Sequence, residues 1–139
     1  MKETLQVGIV HELVYKVPVS KTVPYLYPES KEFQAMPQVF ATGFLVGLIE
    51  WACMQAIIPH LDQTEHSVGT HVDLSHEAPT PAGLEVYVRV FLAEIKGRRL
   101  SFKAQANDGK DVISRGSHER FVVDRQRFLE QVNAKTKSS

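Results

Sequence analysis

The 139-residue chain is 43% hydrophobic and carries 16 Lys+Arg against 16 Asp+Glu. This excludes a disordered chain and gives no electrostatic reason to expect nucleic acid or an anionic membrane as a partner; it also leaves little like-charge repulsion to oppose self-association. One domain over residues 1–139 fits this length; the single cysteine, Cys53, and an N-terminus MKETLQVGIV without an apolar h-region fit a reducing cytoplasm.

Alternating apolar residues predict a first strand over Leu5–Val17, with a change of phase near Val10–Glu12. Pro18–Pro37 follows as a proline-punctuated connection carrying Tyr25, Tyr27, Phe33 and Met36. Two roles fit a connection of this length: a loop packed on the core, or an apolar lid over a pocket. Phe40–Ile58, FATGFLVGLIEWACMQAII, predicts a long helix bounded by Pro37 and Pro59. It is apolar on every face, which calls for cover on every side. Its length approaches a bilayer span, but Glu50 at its centre argues against insertion. Four strands are then predicted: Val68–Ala78, Leu84–Ile95, Leu100–Ala106 and Asp111–Val123. The second presents Val86, Val88, Val90 and Leu92 to one side, and the third presents Leu100, Phe102, Ala104 and Ala106. Gly97 and the Asn107-Asp108-Gly109-Lys110 run mark tight turns, so neighbours are antiparallel. Asp124 is placed to cap a short C-terminal helix through Gln131, with Asn133–Ser139 fraying. The pattern predicts an α+β fold in which an antiparallel sheet wraps one long helix, with a second subunit supplying further cover.

Three residues stand out chemically. Glu50 is a carboxylate within an apolar helix; it is paired with an Arg or His, or lies on an exposed edge of the helix, or it acts as a general base or orients water. His76 falls on the inward face of its predicted strand, as a satisfied core histidine or as a catalytic one. Thr42 opens the helix, followed by Gly43; it caps the N-terminus, or it stands beside free backbone N–H groups able to hold an oxyanion. Eight residues separate Thr42 from Glu50, roughly 12 Å along one helix, so their side chains do not meet. One site combining the helix start of one subunit with Glu50 of its partner satisfies that spacing. His118 and Arg120 alternate onto one face of the last strand, where Arg120 serves as surface charge, phosphate contact or partner of Glu50. The histidine spacing and the lone cysteine give no metal site.

Several stretches together resemble the fluoroacetyl-CoA thioesterase family, whose fold is the hotdog fold: KTVPYLYPES (Lys21–Ser30), VFATGFLVGLIEWAC (Val39–Cys53), HEAPTPAGL (His76–Leu84), GRRLS (Gly97–Ser101) and GSHER (Gly116–Arg120). The resemblance implies a homodimeric thioesterase acting on a small-molecule acyl-CoA, with no cofactor, since CoA belongs to the substrate. It places the family's catalytic residues on Thr42, Glu50 and His76. It places a glycine whose N–H holds the thioester carbonyl on Gly69, and a pocket arginine on Arg120. The family's two lid phenylalanines fall on Phe33 and Met36, so the second is not aromatic here; this bears on the acyl group accepted more than on the reaction. Two other classes remain open for the fold, an acyl-CoA dehydratase and a non-catalytic acyl-CoA binding protein.

Overall fold

Period-2 patterning from Leu84 onward builds the middle of a five-stranded sheet. The computed structural model describes residues 1–137. Its strands are β1 (Val10–Lys16), β2 (Glu65–Leu74), β3 (Glu85–Lys96), β4 (Arg99–Asn107) and β5 (Val112–Asp124). They lie in the order β1-β3-β4-β5-β2, antiparallel throughout. The predicted inward residues of β3 and β4 are all buried, Val86 to Leu92 and Leu100 to Ala106 in alternation. Each large side chain among them contributes about 1.5–3 kcal/mol by leaving water.

The helices are α1 (Lys31–Gln34), α2 (Thr42–Ile57) and α3 (Arg125–Lys137). α2 is the predicted long helix, and Ile58–His60 continues it as a tighter 3₁₀ turn. It buries Leu45, Leu48, Ile49, Ala52, Cys53, Ala56 and Ile57, a stripe at three- and four-residue spacing set against the sheet. The described residues do not cover it on every side: Trp51, Met54 and Ile58 on the opposite face are exposed. Thr42–His60 is long and apolar enough to cross a bilayer, yet its sheet-facing stripe is already packed. Cys53 lies in that stripe, and burial pushes its thiol up to about 12, so it stays protonated and acts as a small apolar filler.

Several predicted boundaries shift. The first strand begins at Val10, but Gly8 N–H still donates to the Leu92 carbonyl (2.9 Å) and Leu92 N–H to that of Ile9 (2.8 Å), and Leu5 joins the core. The strand predicted over Val68–Ala78 is β2 at Glu65–Leu74, so His76 lies beyond its end. A bulge between Gly69 and His71 inserts Thr70 and changes which residues face α2. Ser67 and Gly69 pair with the inward Val122 and Arg120, whereas beyond the bulge Val72 pairs with the inward His118. Val72 is nonetheless 45% exposed, because none of the described residues covers that end of β2. Gly116, at φ +151°, faces Leu74 across the β2–β5 ladder; a Cβ there would run into the Asp73 carbonyl, so only glycine lets the end of β2 approach β5. The C-terminal helix runs past Gln131 to Lys137, with Asp124 capping it by accepting from Arg127 N–H (3.1 Å). The predicted fraying of Asn133–Ser139 is therefore not seen as far as Lys137, and Ser138 and Ser139 lie outside the described residues.

The Pro18–Pro37 connection is structured. It holds 3₁₀ turns at Val19–Lys21 and Val23–Tyr25, then α1, capped by Ser30, whose hydroxyl accepts from Phe33 N–H (3.1 Å). Val23 N–H donates to the Val39 carbonyl (2.9 Å) and Ala41 N–H to the Lys21 carbonyl (3.1 Å), which ties the connection to the start of α2.

Candidate active site

α2 starts where two backbone bonds hold the chain that enters it. Phe40 N–H donates to the Thr80 carbonyl (2.7 Å), and Ala41 N–H to that of Lys21. The first intrahelical bond runs from Leu45 N–H to the Ala41 carbonyl (2.9 Å), so the N–H groups of Thr42, Gly43 and Phe44 precede it. Thr42 is not the cap; Ala41 holds that position, and no side chain caps the helix. The Thr42 hydroxyl is thus left for another partner, His76, with Oγ1 2.7 Å from Nδ1. When the ring carries its proton on Nε2, Thr42 Oγ1–H donates to Nδ1, the arrangement of a hydroxyl with its base. Nε2 itself is buried with no partner among the described residues.

His76 is half-buried, and desolvation pushes its pKa below the ordinary histidine value. The imidazole is therefore neutral, and able to accept a proton, at neutral pH. If His76 is the base, kcat/KM for a thioester substrate rises with pH through an apparent pKa below about 6.5 and is flat above it. A pH–rate profile checks this; a rising limb centred above 7 would contradict it.

Thr42 and His76 open onto a 270 Å³ cleft lined also by Val23, Met36, Val39 and Phe40. Met36 of the predicted lid therefore belongs to the cleft. Phe33 does not line it; its ring stacks on Tyr27 with centroids 5.9 Å apart, inside the lid segment.

Glu50 belongs to a second cluster, one helical stretch away. Arg120, buried on β5, donates from Nη1 to Glu50 Oε2 (3.1 Å), from Nε to Ser67 Oγ (2.8 Å) and from Nη2 to the Ser67 carbonyl (2.9 Å). The same Nη1 lies 3.1 Å from His118 Nε2. His118 Nδ1–H donates to the His71 carbonyl (2.8 Å), leaving Nε2 to accept from the guanidinium. Burial, the largest influence, holds the His118 pKa below the ordinary value despite the His71 bond, so this ring is neutral. Gly69 lies directly against Glu50: a Cβ there would sit 2.6 Å from Oε2. The Glu50 side chain is 36% exposed, not sealed in the core, because it opens onto the uncovered face of α2.

This geometry settles the pairing left open for Glu50. Arg120 is the partner of Glu50, and the histidine beside Glu50 is His118 rather than His76. The structure brings Thr42 to His76, and Glu50 to Gly69 and Arg120, without joining the two groups within one chain. His118 was legible only as a residue on the same strand face as Arg120, and Ser67 gave no signal, since both act through contacts between distant strands. No cluster of three or more His, Cys, Asp and Glu side chains able to hold a metal occurs among the described residues.

An antiparallel sheet curled round one helix, with polar groups gathered along that helix, is the hotdog architecture of thioesterase-superfamily proteins. The Thermus thermophilus protein TTHA0967, a thioesterase superfamily member, shares this fold at a TM-score of 0.85, covering 99% of each chain at 21% identity. Closer relatives fix the family. The model for FlK, fluoroacetyl-CoA-specific thioesterase, matches residues 26–126. The fluoroacetyl-CoA thioesterase of Streptantibioticus cattleyicolor is 49% identical over 138 residues, 98% of each chain. A threonine-to-serine variant of FlK, solved with acetyl-CoA, superposes at a TM-score of 0.93 with 47% identity, covering 95% of this chain and 99% of that one. The chain belongs to the fluoroacetyl-CoA-specific thioesterase family.

Proposed function

We propose that the protein hydrolyses a short-chain acyl-CoA, fluoroacetyl-CoA or a related small acyl ester, to the free acid and CoA. The observation that carries this reading is the 2.7 Å Thr42–His76 pair at the start of α2, facing a cleft lined by Met36. His76 Nδ1 takes a proton from the Thr42 hydroxyl, or from a water which that hydroxyl holds. The oxygen so activated attacks the thioester carbonyl; the C–S bond then breaks and CoA leaves as the thiol. The N–H groups that precede the first α2 bond are placed to hold the developing oxyanion. Attack by Thr42 itself would leave an acyl-threonine for water to hydrolyse, and mass spectrometry on trapped enzyme distinguishes the two routes. No cofactor enters the reaction, because CoA is part of the substrate. A reducing cytoplasm suits this chemistry. Release of free thiol from short acyl-CoAs is the direct test: a dehydratase or a non-catalytic acyl-CoA binding protein releases none.

The working unit in this proposal is a homodimer. Trp51, Met54 and Ile58 leave an apolar face of α2 open, β2 is an edge strand, and Glu50, held by the buried Arg120, reaches the surface beside that face. Thr42 and Glu50 are roughly 12 Å apart along α2, so a partner's Glu50 cluster completes the Thr42–His76 cleft across the interface. Mixing Thr42→Ala with Glu50→Ala subunits is expected to restore part of the activity that each variant lacks alone. Verified heterodimers with no recovery would refute the shared site.

Met36 is half-exposed in the cleft wall, and a flexible thioether confines a small acyl group less than an aromatic ring does. Met36→Phe is expected to raise the preference for fluoroacetyl-CoA over acetyl-CoA, measured as the ratio of kcat/KM values. An unchanged ratio would remove Met36 from the selectivity of the site.

A further inference from the structure

We propose that the Glu77–Arg115 ion pair, together with Ser75, is a positioning device for His76: it fixes the backbone from which the imidazole reaches Thr42. This rests on the reading of His76 as the base of thioester hydrolysis.

His76 lies two residues beyond the end of β2, where the regular ladder has stopped. Both of its neighbours are nevertheless bound to β5. Ser75 N–H donates to the Arg115 carbonyl (3.0 Å), and Glu77 N–H donates to that of Ile113 (2.7 Å). Arg115 N–H donates to Ser75 Oγ (3.0 Å), whose hydroxyl donates to Glu77 Oε2 (2.6 Å). The guanidinium closes the circuit, Nε to Oε2 at 2.8 Å and Nη2 to Oε1 at 3.2 Å. Alternate side chains of an extended segment point to opposite sides. Ser75 and Glu77 therefore share one face, pinned to Arg115, while His76, between them, projects from the other face and meets Thr42.

Energetics favours a geometric role. An exposed ion pair adds little stability, and Arg115 is well exposed. A planar guanidinium engaging a carboxylate through two bonds, however, fixes orientation in a way a single contact does not. Arg115 and then Ser75 hold the Glu77 carboxyl below its ordinary range, so the pair is intact across the neutral pH range. Among the described residues that line the His76 cleft, Glu77 is the one that carries a charge, beside Met36 and Val39 from the lid side and Thr42 from α2.

The test uses the full chain with Arg115→Gln, Glu77→Gln and both together. Each single variant is expected to lower kcat about tenfold through misplacement of the base. KM should stay within about twofold and the double variant should be no slower than either single one. The apparent pKa of kcat/KM should move up toward the ordinary histidine value as the ring gains water. An unchanged kcat, losses that multiply in the double variant, or losses that track a fall in melting temperature would overturn the proposal. Should the wild type release no thiol, the hydrolytic reading fails by itself. The ¹⁵N shifts of the His76 ring still judge the clamp: identical shifts in wild type and variants would refute it.

Discussion

His76→Ala is expected to lower kcat/KM for short acyl-CoA esters by about 10²–10⁴-fold, the usual contribution of a positioned general base. The expectation follows from the 2.7 Å contact between Nδ1 and the Thr42 hydroxyl and from the low pKa that burial imposes on the ring. Removing the imidazole strands the hydroxyl at its ordinary, weakly nucleophilic state and leaves the helix-start N–H groups as the remaining polarising element. Fold stability should change little, because His76 lies beyond β2 and its side chain is only half-buried. Steady-state kinetics beside a melting curve decides the matter. A fall of less than tenfold in a folded variant would show that another group takes the proton.

The second large effect falls on stability. Arg120→Met is expected to cost about 3 kcal/mol, the low end of the penalty for removing one partner of a buried ion pair, because Glu50 reaches water. Four contacts end together: two to Ser67, one to Glu50 and one to His118. The guanidinium bonds Ser67 on the edge strand β2, Glu50 on α2 and His118 on its own strand β5, so its loss loosens the edge strand as well. In a chain of this length the melting temperature should drop by about 10 °C. Glu50→Gln should cost less than about 1 kcal/mol, because its side chain reaches water and the amide oxygen still accepts from Arg120. Equal losses in the two variants, measured by urea or thermal unfolding, would show that the Glu50 contact, not the guanidinium network, carries the stability.

These effects trace back to features of very different legibility. The inward residues of β3 and β4 are readable because sheet alternation is local: each residue's face follows from its neighbours. The turns at Gly97 and Gly109 are readable because both adopt the positive φ that glycine tolerates, +59° and +85°. β2 is a different case. Its inserted Thr70 exists only in relation to Arg120 and Glu119 on the partner strand, and no periodicity within the segment announces it. The fate of His76 is decided in the same way: its neighbours' bonds to Arg115 and Ile113, thirty-eight or so positions along the chain, carry it past the end of β2.

The sequence by itself determined that one long apolar helix is wrapped by antiparallel strands, and that Thr42, Glu50, His76, Gly69 and Arg120 are the residues to watch. Hydrophobic period and tight-turn chemistry are local properties, and family motifs are contiguous, so both survive in one dimension. Only the tertiary structure decided who meets whom. It freed the Thr42 hydroxyl from capping and gave it to His76. It paired Glu50 with Arg120 and set His118 beside them. It left the Trp51–Ile58 face of α2 open. Those outcomes depend on distances between segments far apart in the chain, set by strand order and by the angle at which α2 crosses the sheet.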